Sequence, residues 1–215
     1  MRGLKCRRGS ADLMAMRLRL LGFVLVFAAA CHGQVPIGKF YSEIRSRGGI
    51  GALLEFAPDG GLVETSSAIV EYRYSAKGER MVMTTTDSFT GKKDEENLEF
   101  RVTDINHLYL RSSKELTQFT RFGSAGDEAN PLLGQWTMTR EANGMKMTYN
   151  WSFRADGLAV LTVPLREVHG KYSLEGKTIS LMGIYGATAS GPWRWEGNTL
   201  IVPGPRVERR YRRLN

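Results

Sequence analysis

Gly134-Gln135-Trp136, Trp151-Ser152-Phe153-Arg154-Ala155-Asp156-Gly157 and Gly170-Lys171-Tyr172 are the landmarks from which this 215-residue chain is read. Asp156-Gly157 follows a run in which Met145, Met147, Tyr149 and Trp151 alternate with polar residues. An Asp-Gly pair after such a run predicts a tight turn, because glycine tolerates the positive φ that the turn needs. Glu175-Gly176-Lys177 and Glu196-Gly197-Asn198 repeat the device around Thr178-Ile179-Ser180-Leu181 and Trp193-Arg194-Trp195. A period of two sends alternate side chains to opposite faces of a sheet. Short strands punctuated by turns roughly every ten residues predict an all-β fold, an antiparallel barrel or sandwich. No helical pattern of useful length follows the N-terminal leader.

A weaker copy of these landmarks lies upstream. Gly38-Lys39-Phe40 matches Gly134-Gln135-Trp136, and Phe56-Ala57-Pro58-Asp59-Gly60 matches Phe153 to Gly157. Tyr72-Arg73-Tyr74 matches Gly170-Lys171-Tyr172, and Phe100 and Val102 match Trp193 and Trp195. Landmarks in one order at near-equal spacing predict an internal repeat. The copies would span 38–123 and 132–215, with 124–131 as a linker by composition and 31–37 as a tether. Each copy forms its own barrel, or the two close one barrel together; the linker favours two domains.

Residues 1–30 read as a signal peptide. Arg2, Lys5, Arg7, Arg8, Arg17 and Arg19 give a basic region, Leu20–Phe27 an apolar core, and Ala28-Ala29-Ala30 small residues for cleavage. A start at Met14 or Met16 would give a more compact leader. Cys31 follows at once, and resembles the bacterial lipobox cysteine that becomes a lipidated first residue, although Ala28 stands where that pattern usually has Leu. Ordinary cleavage leaving an unmodified thiol is the alternative. The expectation is export to the cell envelope, membrane-anchored through Cys31, or else a periplasmic or secreted form. Removing residues 1–30 lowers the net charge from +8 to +3 (24 basic against 21 acidic residues), so the basic character belongs largely to the leader. The remaining excess sits in Arg206, Arg209, Arg210, Arg212 and Arg213. These predict a solvated final strand rather than a nucleic-acid surface.

The chain has no Gly-x-Ser-x-Gly elbow, no phosphate loop and no His-Glu-x-x-His. His32, His107 and His169 are far apart, so no metal or cofactor is expected. Asp59 and Asp156 occupy equivalent turns and are read as structural, with Gly60 and Gly157. The aromatic residues are the remaining concentration. Tyr149, Trp151, Tyr185, Trp193 and Trp195 either fill a barrel core or line an apolar ligand cavity.

With those residues in hand, the chain resembles the bacterial lipocalin-like domains of exported lipoproteins. The similarity rests on Gly134-Gln135-Trp136, on Phe153…Asp156-Gly157, on Gly170-Lys171-Tyr172, and on Tyr211-Arg212-Arg213 in the last strand. The resemblance implies a β-barrel that binds a small apolar molecule or serves the envelope. It also implies that Arg212 or Arg213 packs against Trp136. Three functions stand: a non-catalytic carrier of a small apolar ligand, a filled structural or interaction protein, and an enzyme drawing on Asp104, His107 or His169.

Overall fold

The computed structural model describes residues 35–87, 90–113, 115–123, 129–142 and 144–214. The expected leader, Cys31 and residues 124–128 of the expected 124–131 linker lie outside them. Among the described residues every regular element is a strand. The first seven are β1 (Gly38–Ser42), β2 (Ile50–Phe56), β3 (Gly61–Lys77), β4 (Arg80–Thr86), β5 (Lys93–Asp104), β6 (His107–Arg111) and β7 (Leu116–Phe122). Eight follow: β8 (Gly134–Ala142), β9 (Met145–Phe153), β10 (Leu158–Glu175), β11 (Thr178–Met182), β12 (Ala189–Pro192), β13 (Arg194–Glu196), β14 (Thr199–Val202) and β15 (Arg209–Arg213). All pair antiparallel.

Two long strands set the architecture. β3 and β10 pair along nearly their whole length, from Leu158 opposite Arg73 to Lys171 opposite Gly61, with a register shift between Pro164 and Arg166. At one end of this ribbon, β3 to β10 follow one another round an eight-stranded ring that the β3–β10 pairing closes. At the other end the ribbon carries a second lobe, ordered β12-β11-β10-β3-β2-β1-β15-β14-β13. Its outermost strands, β12 and β13, are joined through Trp193, whose N–H donates to the Lys177 carbonyl at 3.0 Å. Phe100 does the same inside β5, donating to the Glu79 carbonyl at 2.7 Å.

The ring and the lobe therefore each draw on both halves of the sequence. β7 pairs with β8 in the ring, and β1 pairs with β15 in the lobe. Of the two arrangements expected above, separate barrels do not form. Strands of both halves, 38–123 and 132–215, close the eight-stranded ring together, and the remaining strands of both build the lobe, the crossing lying at the middle of β3 and β10. The turn bonds show the crossing. Tyr74 Oη donates to the Arg154 carbonyl at 2.7 Å, and Tyr172 Oη donates to the Ala57 carbonyl at 2.8 Å. Each tyrosine thus anchors the Asp-Gly turn of the opposite half. Gly60 and Gly157 sit at φ 87° and 74° in those turns, and Asp59 and Asp156 accept from the backbone N–H two residues on.

Three apolar clusters hold the molecule, each removing aromatic and aliphatic surface from water. The ring is filled by Met81, Met83, Leu98, Leu108, Phe119, Trp136, Trp151 and Phe153, among others. The lobe holds Phe40, Leu54, Phe56, Leu62, Tyr172, Ile179, Leu181, Leu200 and Tyr211, among others. A third cluster of Tyr41, Ile69, Leu158, Val160 and Leu214 packs outer faces together. The outward residues of β15 join a ladder of charges across the lobe. Arg212 reaches Glu43 at 2.9 Å and Glu71 at 3.4 Å; Arg210 reaches Glu43 at 3.0 Å and Glu196 at 2.9 Å. Arg194 continues it to Glu208 at 2.7 Å, and Arg45 ends it against Glu71.

Candidate functional site

The five aromatic residues expected to line a ligand cavity do not converge. Trp151 is buried in the ring, stacked on Phe153 at 5.5 Å and tilted against Tyr72 at 5.3 Å, and Tyr149 packs on the same cluster. Tyr185, Trp193 and Trp195 pack against the lobe interior instead. The ring pair are core residues by every contact they make, so the candidate site narrows to the lobe.

The lobe departs from the ring in one respect. Glu64 on β3, Arg209 and Tyr211 on β15, and Tyr185 from the 183–188 connection meet within it. Arg209 lies 3.7 Å from Glu64 and stacks over the Tyr185 ring at 4.4 Å. The Tyr185 and Tyr211 hydroxyls are 3.4 Å apart. Trp193 adds an indole Nε1 that is buried without a hydrogen-bond partner. In the ring, by contrast, Leu161 and Phe119 pack on the apolar cluster.

Its electrostatics follow from burial. Desolvation pushes the Glu64 carboxyl above its ordinary value, and the nearby Arg209 only partly offsets it. Desolvation also pushes the Tyr185 phenol up, with Tyr211 adding to the effect, so the hydroxyl is neutral and available to donate. A carboxyl, a guanidinium and the Tyr211 phenol beside an aromatic interior suit a molecule with an apolar body and one polar end. Sequence reasoning missed Glu64 and placed Arg209 in a solvated strand. The readable signal was that Glu64 shares the inward parity of Leu62, where a charge needs a reason.

The other expected residues fall elsewhere. Trp136 is fully buried, and its Nε1–H donates to the Leu132 carbonyl at 2.8 Å. The arginine that covers it is Arg121, at 4.0 Å from the ring, and not Arg212 or Arg213. Arg213 lies over Phe40 at 5.4 Å and Trp195 at 5.6 Å, and Arg212 belongs to the outer charge ladder. The reason is the strand exchange: β7 rather than β15 borders Trp136. His107 contacts Asp104 at 2.8 Å and His169 contacts Glu167 at 2.9 Å, as separate surface pairs. Among the described residues no three His, Cys, Asp or Glu side chains gather as a metal site would require. An open cleft of about 740 Å³ lies between the 43–49 connection and β4–β5, but Arg45 and Glu71 within it are already paired.

No family model matches this chain, and no curated protein or solved structure matches it.

Proposed function

We propose that this is an exported lipocalin-like binding protein, anchored through Cys31 after removal of residues 1–30, whose second lobe takes a small, largely apolar ligand without catalysis. The observation that carries the reading is the Glu64–Arg209–Tyr211 group inside the lobe, against which Tyr185 packs. Buried polar groups cost free energy unless they have partners. An apolar interior kept with such a group at one end has a preferred orientation for a guest. The ring, with Leu161 and Phe119 packed on its apolar cluster, serves as a filled support. That filled ring is also what favours the second reading, a structural or interaction protein of the envelope.

The same reading treats the chain as a duplication whose copies exchanged halves. Support comes from matched bonds: Tyr74 N–H donates to the Gly157 carbonyl at 2.8 Å, and Tyr172 N–H to the Gly60 carbonyl at 2.9 Å.

Intact-mass and native mass spectrometry on protein from membrane and soluble fractions tests the proposal. A chain beginning at Cys31 with a lipid increment, carrying a small molecule that the Arg209→Leu variant loses, is expected. A bare chain in the soluble fraction with no added mass removes the anchor and leaves the filled structural reading ahead.

A further inference from the structure

The connection between β11 and β12, residues 183–188, enters the lobe instead of running over its surface. Ile184 is only 6% exposed, and Tyr185 is half-buried against the core. Their neighbours Gly183, Gly186, Ala187 and Thr188 are exposed. The two inserted side chains are bracketed by Gly183 at φ 86° and Gly186 at φ 70°, both in the left-handed region where glycine is favoured. The segment seats on Gly170 of β10: a Cβ there would collide with the Met182 carbonyl oxygen and lie 2.8 Å from Ile184 Cγ2. Its base borders an open groove of about 410 Å³ formed by His169, Gly170, Lys171, Met182 and Gly183.

The inward turn of 183–188 thus places two apolar side chains inside the lobe that carries the polar group. Tyr185 also makes the contacts a guest would make. Its ring lies under the Arg209 guanidinium, and its hydroxyl meets that of the fully buried Tyr211.

We propose that residues 183–188 form a displaceable plug, with Tyr185 and Ile184 occupying the ligand position, and that the ligand is an apolar molecule bearing a phenol. This rests on the reading of the lobe as a binding site. The phenol replaces the Tyr185 ring beneath Arg209 and hydrogen-bonds Tyr211, while an alkyl portion takes the place of Ile184. Cation–π attraction favours an aromatic ring in that position over a saturated one. A plug that competes with the ligand lowers apparent affinity by the fraction of molecules in which it is seated. Removing the competing ring raises the affinity without adding a contact.

The test uses the full mature protein and 4-propylphenol as probe, with affinity from calorimetry and hydrogen exchange read at 183–188. In the wild type, binding accelerates exchange across 183–188, and Tyr185→Ala binds the probe at least tenfold tighter. Wild-type binding with exchange at 183–188 unchanged or slowed overturns the plug while leaving the carrier reading intact. So does a Tyr185→Ala affinity less than tenfold better. No binding by either protein overturns both. The exchange measurement is made on the wild type, so it decides the matter even where the variant fails to fold.

Discussion

Arg121→Ala is the substitution on which the strand exchange makes its sharpest demand. Arg121 lies at the end of β7, opposite Trp136 of β8, with its guanidinium 4.0 Å from the indole ring. It donates from Nε to the Ile105 carbonyl at 2.5 Å, from Nη1 to Leu133 at 2.7 Å and from Nη2 to Pro131 at 2.6 Å. Each such bond contributes roughly 1 kcal/mol net at a partly exposed site. Stacking on the indole adds about 0.5–1 kcal/mol, so the loss on truncation is about 3–4 kcal/mol. Arg213 faces Phe40 and Trp195 at longer range, and Arg213→Ala costs about 1 kcal/mol on the same scale. Urea unfolding followed by tryptophan fluorescence reads both. At a slope of about 2 kcal/mol/M the Arg121 variant shifts the midpoint by about 1.5–2 M. Arg121→Lys recovers less than half, since an ammonium cannot reproduce the planar fork. An Arg213→Ala loss equal to or larger than that of Arg121→Ala would refute the pairing of Trp136 with β7 and Arg121.

Three further outcomes follow from the same contacts. Trp151→Ala removes a buried ring stacked between Phe153 and Tyr72 and costs about 3–5 kcal/mol by chemical denaturation, whereas a loss under 1 kcal/mol would show that the ring is not packed as described. Gly60→Ala and Gly157→Ala each force a side chain into positive φ beside a tyrosine carbonyl, at 3.3 and 3.2 Å, and each lowers stability by about 1–2 kcal/mol; stabilisation by either would contradict the turn geometry. Burial alone would raise the Glu43 carboxyl, but hydrogen bonds from Arg212, Arg210 and Thr199 outweigh it and hold the group below its ordinary value of 4.5. Because the folded-state value is depressed, its stabilisation is present above the unfolded-state value and fades as pH falls through the folded one. Thermal melts of Glu43→Gln should therefore show lower stability than wild type at neutral pH, with the gap closing in acid; a pH-independent gap would remove the ionic contribution.

The fold class was legible because alternation and Asp-Gly turns act locally. Met145 to Trp151 and Thr178 to Leu181 specify strands whichever neighbours they acquire. Pairing partners are a different matter, since Tyr172 reaches Ala57 across 115 positions and no local pattern encodes that reach. One signal was available. From Leu62 to Lys77 the chain has neither Gly nor Pro, so nothing folds β3 back on itself at Ser67. A half that closed alone would need a turn there, and the unbroken run sends β3 on into the opposite unit. The site was half legible. Tyr185, Trp193 and Trp195 were identifiable as aromatic residues clustered in one half, while Trp151 and Tyr149 belong to the ring because the flanking strands β8 and β10 pair with β7 and β3 of the first half. Glu64 and Arg209 were hidden because they meet only through β3 and β15, which the sequence places at opposite ends.

The exchange of strands between the halves is tested most directly by cutting the chain once, at a protease site inserted within residues 124–128, and running the product on size exclusion. Because the ring and the lobe each need strands from both fragments, the account predicts one particle containing both pieces, unfolding in a single transition and separating only in denaturant. Two folded pieces that elute separately in native buffer, each with its own transition, would contradict it.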